Sequence, residues 1–122
     1  MSFKFRDWQI YKDLREFRKE LIREVLPKIP KEERFELTSQ LKRALNSAIL
    51  NIAEGAYRNS DKDLAHFLNQ SDTSLNEVVA CFDICLDDKY IDEVLHKKFI
   101  DKTEKLTAQL AGFRKFLKNS QK

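Results

Sequence analysis

Turn-forming residues are nearly missing from this chain. It holds 2 glycines and 2 prolines in 122 residues, against average usage of about 7% and 5%. β-Sandwiches and barrels turn their corners with such residues, so a turn-rich β architecture is excluded. Gly-rich phosphate cradles go with them, because neither a P-loop nor a dinucleotide fingerprint can be written with two glycines. Cys81 and Cys85 are the only cysteines, too few to staple a small secreted scaffold. No apolar run reaches the roughly 20 residues that span a bilayer. Residues 1–9 carry no apolar leader. The reading is a soluble, cytoplasmic chain without a membrane partner.

Hydrophobic and charged residues are abundant. Hydrophobic residues make up 42%, enough to build a core, and charged residues 35%. With 23 Lys+Arg against 20 Asp+Glu the net charge is +3, which permits nucleic acid as a partner without demanding it. The length suits one domain, residues 1–118, followed by a frayed tail at 119–122.

Helix-period patterning fills nearly the whole chain. Breaks fall at residues 26–30, which contain both prolines, at the loop-type cluster 55–60, and more weakly at 87–90. The spacing predicts a first helix over 5–26, with Ile10, Leu14, Phe17, Leu21 and Val25 on one stripe. Trp8, Tyr11, Ile22 and Leu26 make a second stripe about 100° away. A bundle core needs one stripe per helix, so these four are candidates for contact between copies. A second helix begins at Glu32 or Thr38 and reaches Gly55, burying Leu37, Leu41, Leu45, Ala48 and Ile52. The third opens on a capping-box-like Ser60-Asp61-Lys62-Asp63 and buries Leu64, Phe67, Ser71, Leu75, Val78, Phe82 and Cys85. The fourth buries Ile91, Leu95, Phe99, Thr103, Leu106, Leu110, Phe113 and Leu117. Four such helices on short connections predict an all-α, antiparallel up-down-up-down four-helix bundle.

The second helix has a polar face of unusual composition. At about 100° per residue, Gln40, Arg43, Ser47, Asn51, Glu54 and Arg58 fall within a wedge of roughly 80°. Amide, hydroxyl and guanidinium groups suit specific hydrogen-bond networks better than bulk solvation. Three readings stay open: a seam satisfied inside the bundle or between subunits, a ligand or nucleic-acid contact through the arginines, or catalysis resting on Glu54 alone.

Charge is unevenly distributed along the chain. The net value is +2 over residues 1–26, +2 over 27–59, −5 over 60–90 and +4 over 91–122. The acidic third and basic fourth helices could complement each other, within the bundle or across a subunit boundary. Alternatively Lys97, Lys98, Lys102, Lys105, Arg114, Lys115 and Lys118 form a nucleic-acid surface that ring symmetry repeats.

Catalytic and metal signatures are not found. His66 and His96 have no metal spacing to each other or to the cysteines, and no Cys-x-x-Cys or His-Glu-x-x-His pair exists. Only Glu93 has a histidine three residues later, His96, whereas a di-iron bundle requires that spacing on two helices. The reading is no enzyme and no cofactor.

One block carries a resemblance. Pro30, Glu33, Phe35, Leu37, Gln40, Arg43 and Ala44, followed by Ser47 and Asn51-Ile52-Ala53-Glu54-Gly55, resemble the four-helix-bundle family named for proteins encoded in intervening sequences of large-subunit ribosomal RNA genes. Phe67-Leu68, Ser74-Leu75-Asn76-Glu77 and Trp8 fit the same family, so the resemblance covers residues 5–91. Departures are Ala48 for an isoleucine, Ser71-Asp72-Thr73-Ser74 without its usual alanine and glycine, and Asp88 to Ile91 without a glycine. The resemblance implies a homo-oligomer, a pentameric ring favoured, and no established activity. A distantly similar bundle assists reverse transcriptases of diversity-generating retroelements and binds the polymerase and nucleic acid. The resulting expectation is a non-enzymatic, self-associating module bound to structured RNA or other nucleic acid, or to a protein partner such as a reverse transcriptase. The alternative is a protein-interaction scaffold without nucleic-acid binding.

Overall fold

The four apolar stripes become four α-helices. The computed structural model describes residues 3–120, with α1 Gln9–Glu24, α2 Leu37–Tyr57, α3 Asp61–Asp87 and α4 Glu93–Ser120. α1 is shorter than its stripe suggests. Trp8 takes an extended backbone, ψ 136°, between a 3-10 turn at Lys4–Asp7 and the helix. Pro27, which has no N–H to give an α-helical bond, tightens the other end into a 3-10 turn at Leu26–Lys28. A third such turn, Lys31–Glu33, follows Pro30, so α2 takes the later of its two expected starts.

Helix ends follow local hydrogen-bond chemistry. The Asp63 N–H donates to Ser60 Oγ at 3.1 Å, which caps α3. Asp92 does the same for α4, accepting from the Leu95 N–H at 2.8 Å. α3 ends without glycine: Lys89 itself adopts the left-handed conformation, φ 62°. The Tyr90 N–H then reaches back to the Cys85 carbonyl at 2.9 Å and the Lys89 N–H to Leu86 at 3.0 Å, closing the helix as glycine usually does. α4 remains helical through Ser120; Gln121 and Lys122, the end of the expected tail, lie outside the described residues.

Side-chain pairs fix the topology, because one partner's number falls as the other's rises. Between α1 and α4 they are Trp8 with Phe113, Asp13 with Gln109, and Glu20 with Lys102. Between α2 and α3, Ser47 meets Ser74 and Ala48 meets Ser71. Between α3 and α4, Asp72 meets Arg114 and Asp83 meets His96. The fold is an all-α, antiparallel four-helix bundle with α1 beside α2 and α4.

All five residues of the first α1 stripe and all five of the α2 stripe are buried. Phe99 sits at the centre, its ring 5.9 Å from Phe17 and 5.8 Å from Phe82. α3 departs slightly from expectation: Leu68, Ser74 and Cys81 are buried, while Leu64 and Phe67 are only half-buried. The reason is the close approach of α2. A Cβ on Gly55 would lie 2.8 Å from Phe67 Cβ and 2.9 Å from Leu64 Cδ1, so those side chains flank the contact while Leu68 points inward.

Candidate functional site on the α2 and α3 face

The polar stripe of α2 separates into three parts. Ser47 and Asn51 belong to an internal seam. Asn51 Nδ2 donates to the Ser47 carbonyl at 2.8 Å and to Ser47 Oγ at 3.1 Å. Ser74 Oγ on α3 donates to Ser47 Oγ at 2.9 Å, and the fully buried Ser71 donates to the Ala48 carbonyl at 2.6 Å. Small hydroxyls thus join the two helices where larger side chains would hold them apart. Glu54 and Arg58 form an exposed pair one turn apart at 2.9 Å, with the guanidinium 4.7 Å above the Phe67 ring. Gln40 and Arg43 face outward.

Those outward groups line a trough. A cleft of about 410 Å³ runs between the helices past Gln40, Arg43, Ser47, Glu77, Cys81 and Ile84. A second of about 380 Å³ continues it, sharing Gln40, Arg43 and Ile84 and ending at Phe35 and Glu33. Arg43 donates to Ser39 Oγ at 3.0 Å. Among the described residues neither Arg43 nor Glu77, which stand on opposite walls, has an ion-pair partner. Large apolar side chains lie along the same side. Phe35 is 79% exposed, Leu50, one turn beyond Ser47, 65%, and Ile84 43%. Leu50 falls seven residues after Arg43, two full turns and therefore the same face, a signal present in the sequence. Ile84 and Glu77 could be placed opposite only once the α2–α3 register was known.

The expected self-contact stripe on α1 has other neighbours. Trp8 packs edge-on against Phe113 at 5.2 Å and Tyr11 against Phe5 at 4.9 Å. Leu26 packs against the core, and Ile22 is half-buried. The chain itself covers much of this stripe.

The basic residues of α4 also divide. Lys98 pairs with Glu24 at 2.6 Å and Lys102 with Glu20 at 3.2 Å, both on α1. Arg114 pairs with Asp72 of α3 at 3.2 Å and reaches Asn69 at 3.1 Å. Lys97 pairs with Asp101 on its own helix at 3.0 Å. Lys105, Lys115 and Lys118 are exposed and unpaired among the described residues. Among the described residues the α4 cations therefore divide between α1, which Lys98 and Lys102 reach from one flank a turn apart, and the acidic α3, which Arg114 reaches.

The description "23S rRNA-intervening sequence protein" belongs to a family model that matches residues 6–112. The chain belongs to that family. No curated protein matches it. Across the 23S rRNA-intervening sequence match, most residues that carried the resemblance sit on α2 and α3: Gln40, Arg43 and Glu77 at the trough, Ser47, Asn51 and Ser74 in the seam, Gly55 at the close approach; Trp8, Pro30, Glu33 and Phe35 lie before α1 or α2.

Acid–base chemistry at this site is muted. Burial pushes the Cys81 thiol up, with the Glu77 carboxylate adding to it. Burial likewise pushes Cys85 up to about 11, with Cys81 second. Both thiols therefore stay protonated at neutral pH, which removes the nucleophilic form. No group of three His, Cys, Asp or Glu among the described residues could hold a metal ion. Among the described residues no helix is long and apolar enough to cross a membrane.

Proposed function

We propose that the chain is a non-enzymatic module that assembles with copies of itself through the α2–α3 trough and carries nucleic acid on the assembled surface. The observation behind this reading is the trough itself. Arg43 and Glu77 stand unpaired on its walls, with Phe35, Leu50 and Ile84 exposed beside them. Unpaired opposite charges amid exposed apolar side chains suit a protein surface. Five copies in a ring is the arrangement that the family resemblance implies. A closed ring is built from heterologous contacts, so the trough would receive a different patch of the next copy.

A charge-swap series tests this. Arg43→Glu is expected to lower the assembled mass, whereas Asn51→Ala, inside the seam, is expected to lower the melting temperature. Unchanged assembly in Arg43→Glu, and equally in Leu50→Lys, would overturn the trough as the contact. Exposed Lys105, Lys115 and Lys118, repeated around a ring, supply the electrostatics for nucleic acid. A scaffold without nucleic acid is the second reading, favoured by the commitment of Lys98, Lys102 and Arg114 to partners within the bundle. Binding of labelled structured RNA across a salt series separates the two. Affinity falling steeply with salt supports the first, and no binding at low salt supports the second.

A further inference from the structure

At the end of the bundle where α1 begins and α2 and α4 finish lies another cleft, of about 620 Å³. Its walls are aromatic. Phe3, Phe5, Trp8 and Tyr57 line it over alanines of α2, and Lys4 is the one charged residue in the lining. Phe3 is 66% and Tyr57 85% exposed. Phe5 is braced edge-on by Phe3 at 6.4 Å and by Tyr11 at 4.9 Å, and Trp8 by Phe113 at 5.2 Å. The Trp8–Phe113 contact brings α4 alongside, with the exposed Phe116 in its last turns. Lys4 and Arg6 are both exposed and have no ion pair among the described residues. Asp7 is the one acid in the 3-10 turn that holds Lys4 and Arg6.

Flat apolar walls edged by Lys4 and Arg6, neither of them ion-paired, match a ligand with flat apolar faces and negative charge beside them. We propose that this cleft stacks bases of single-stranded nucleic acid while Lys4 and Arg6 contact its phosphates. A stacking platform reads exposed base faces, which a single strand offers and a duplex conceals. A purely apolar protein segment would leave those cations facing no counter-charge. The proposal rests on the nucleic-acid reading above and adds the strand type and the surface that holds it.

Trp8 is the only tryptophan, so tryptophan emission, excited at wavelengths that tyrosine does not absorb, reports this cleft. Titrating the intact protein with oligouridylate at low salt is expected to quench Trp8 saturably, and a duplex of equal length to leave it largely unchanged. Phe3→Ala is expected to weaken strand binding about tenfold without changing the thermal melt, since the ring is exposed. Lys4→Glu with Arg6→Glu is expected to flatten the salt dependence. A labelled oligouridylate followed by anisotropy separates the possible failures. Binding that neither quenches Trp8 nor responds to Phe3→Ala overturns the cleft and leaves nucleic-acid association standing. Equal quenching by the duplex overturns stacking. Trp8 emission that changes with protein concentration alone makes a second copy the occupant and overturns the proposal. No binding of any strand at low salt overturns this proposal and the nucleic-acid reading together.

Discussion

The two glycines have opposite surroundings, and substitutions there should change stability in opposite directions. A methyl on Gly55 meets the Phe67 and Leu64 side chains below 3.0 Å, whereas one on Gly112 meets nothing within 4 Å. Gly55→Ala should therefore destabilise by about 1–3 kcal/mol as α2 and α3 are pushed apart. Gly112→Ala should stabilise by about 0.5–1 kcal/mol through helix propensity. Urea unfolding at fixed protein concentration measures both. Equal effects at the two positions would refute the close α2–α3 approach. The cysteines give a second residue-scale expectation. Both are buried and hold their protons well above neutral pH, so iodoacetamide at about pH 8 should modify neither in the folded protein and both in denaturant. Rapid native alkylation of Cys81 would mean that the trough opens to its floor.

Among the elements, the join of α3 to α4 has its own reporter. The Tyr90 hydroxyl donates to Glu33 Oε2 at 2.8 Å, tying that turn to the 3-10 turn before α2. The bond to the carboxylate, then burial, pushes the phenol up to about 12 from its usual 10. The protonated phenol is the favoured form, so its stabilisation is complete below about pH 10 and disappears as pH rises through about 12. Tyr90→Phe should remove the latest phase of tyrosinate absorbance and lower stability at neutral pH, with the difference from wild type vanishing at high pH. A titration unchanged by the substitution would deny the latch. Elements were the part most legible in the sequence, because a 3.6-residue stripe of large apolar residues specifies a buried helix face wherever it packs. Ile10 through Val25 and Leu37 through Ile52 show this. The ends were less legible. Trp8 leaves the helix to meet Phe113, a residue far away in the chain, and Lys89 takes a conformation that glycine usually signals. On α2 the polar wedge was visible, but its division was not. Whether Ser47 and Asn51 or Arg43 turn inward depends on Ser74 arriving opposite them, which only the α2–α3 register determines.

For the whole molecule, the balance between internal and outward surface decides the reading. Most of the α1 stripe and of the α4 cations finds neighbours within the chain, while Phe35, Leu50 and Ile84 at the trough and Phe3 and Tyr57 at the aromatic end stay exposed. A lone bundle would leave Arg43, Glu77, Phe35, Leu50 and Ile84 facing water on one side. Sedimentation equilibrium of the wild-type protein at micromolar concentration, beside Arg43→Glu, is the most direct measurement. The account predicts a wild-type mass several times the 14.5 kDa of one chain, five copies fitting the ring, and a shift toward one copy in the variant. A wild-type species of 14.5 kDa that stays single as concentration rises would contradict it.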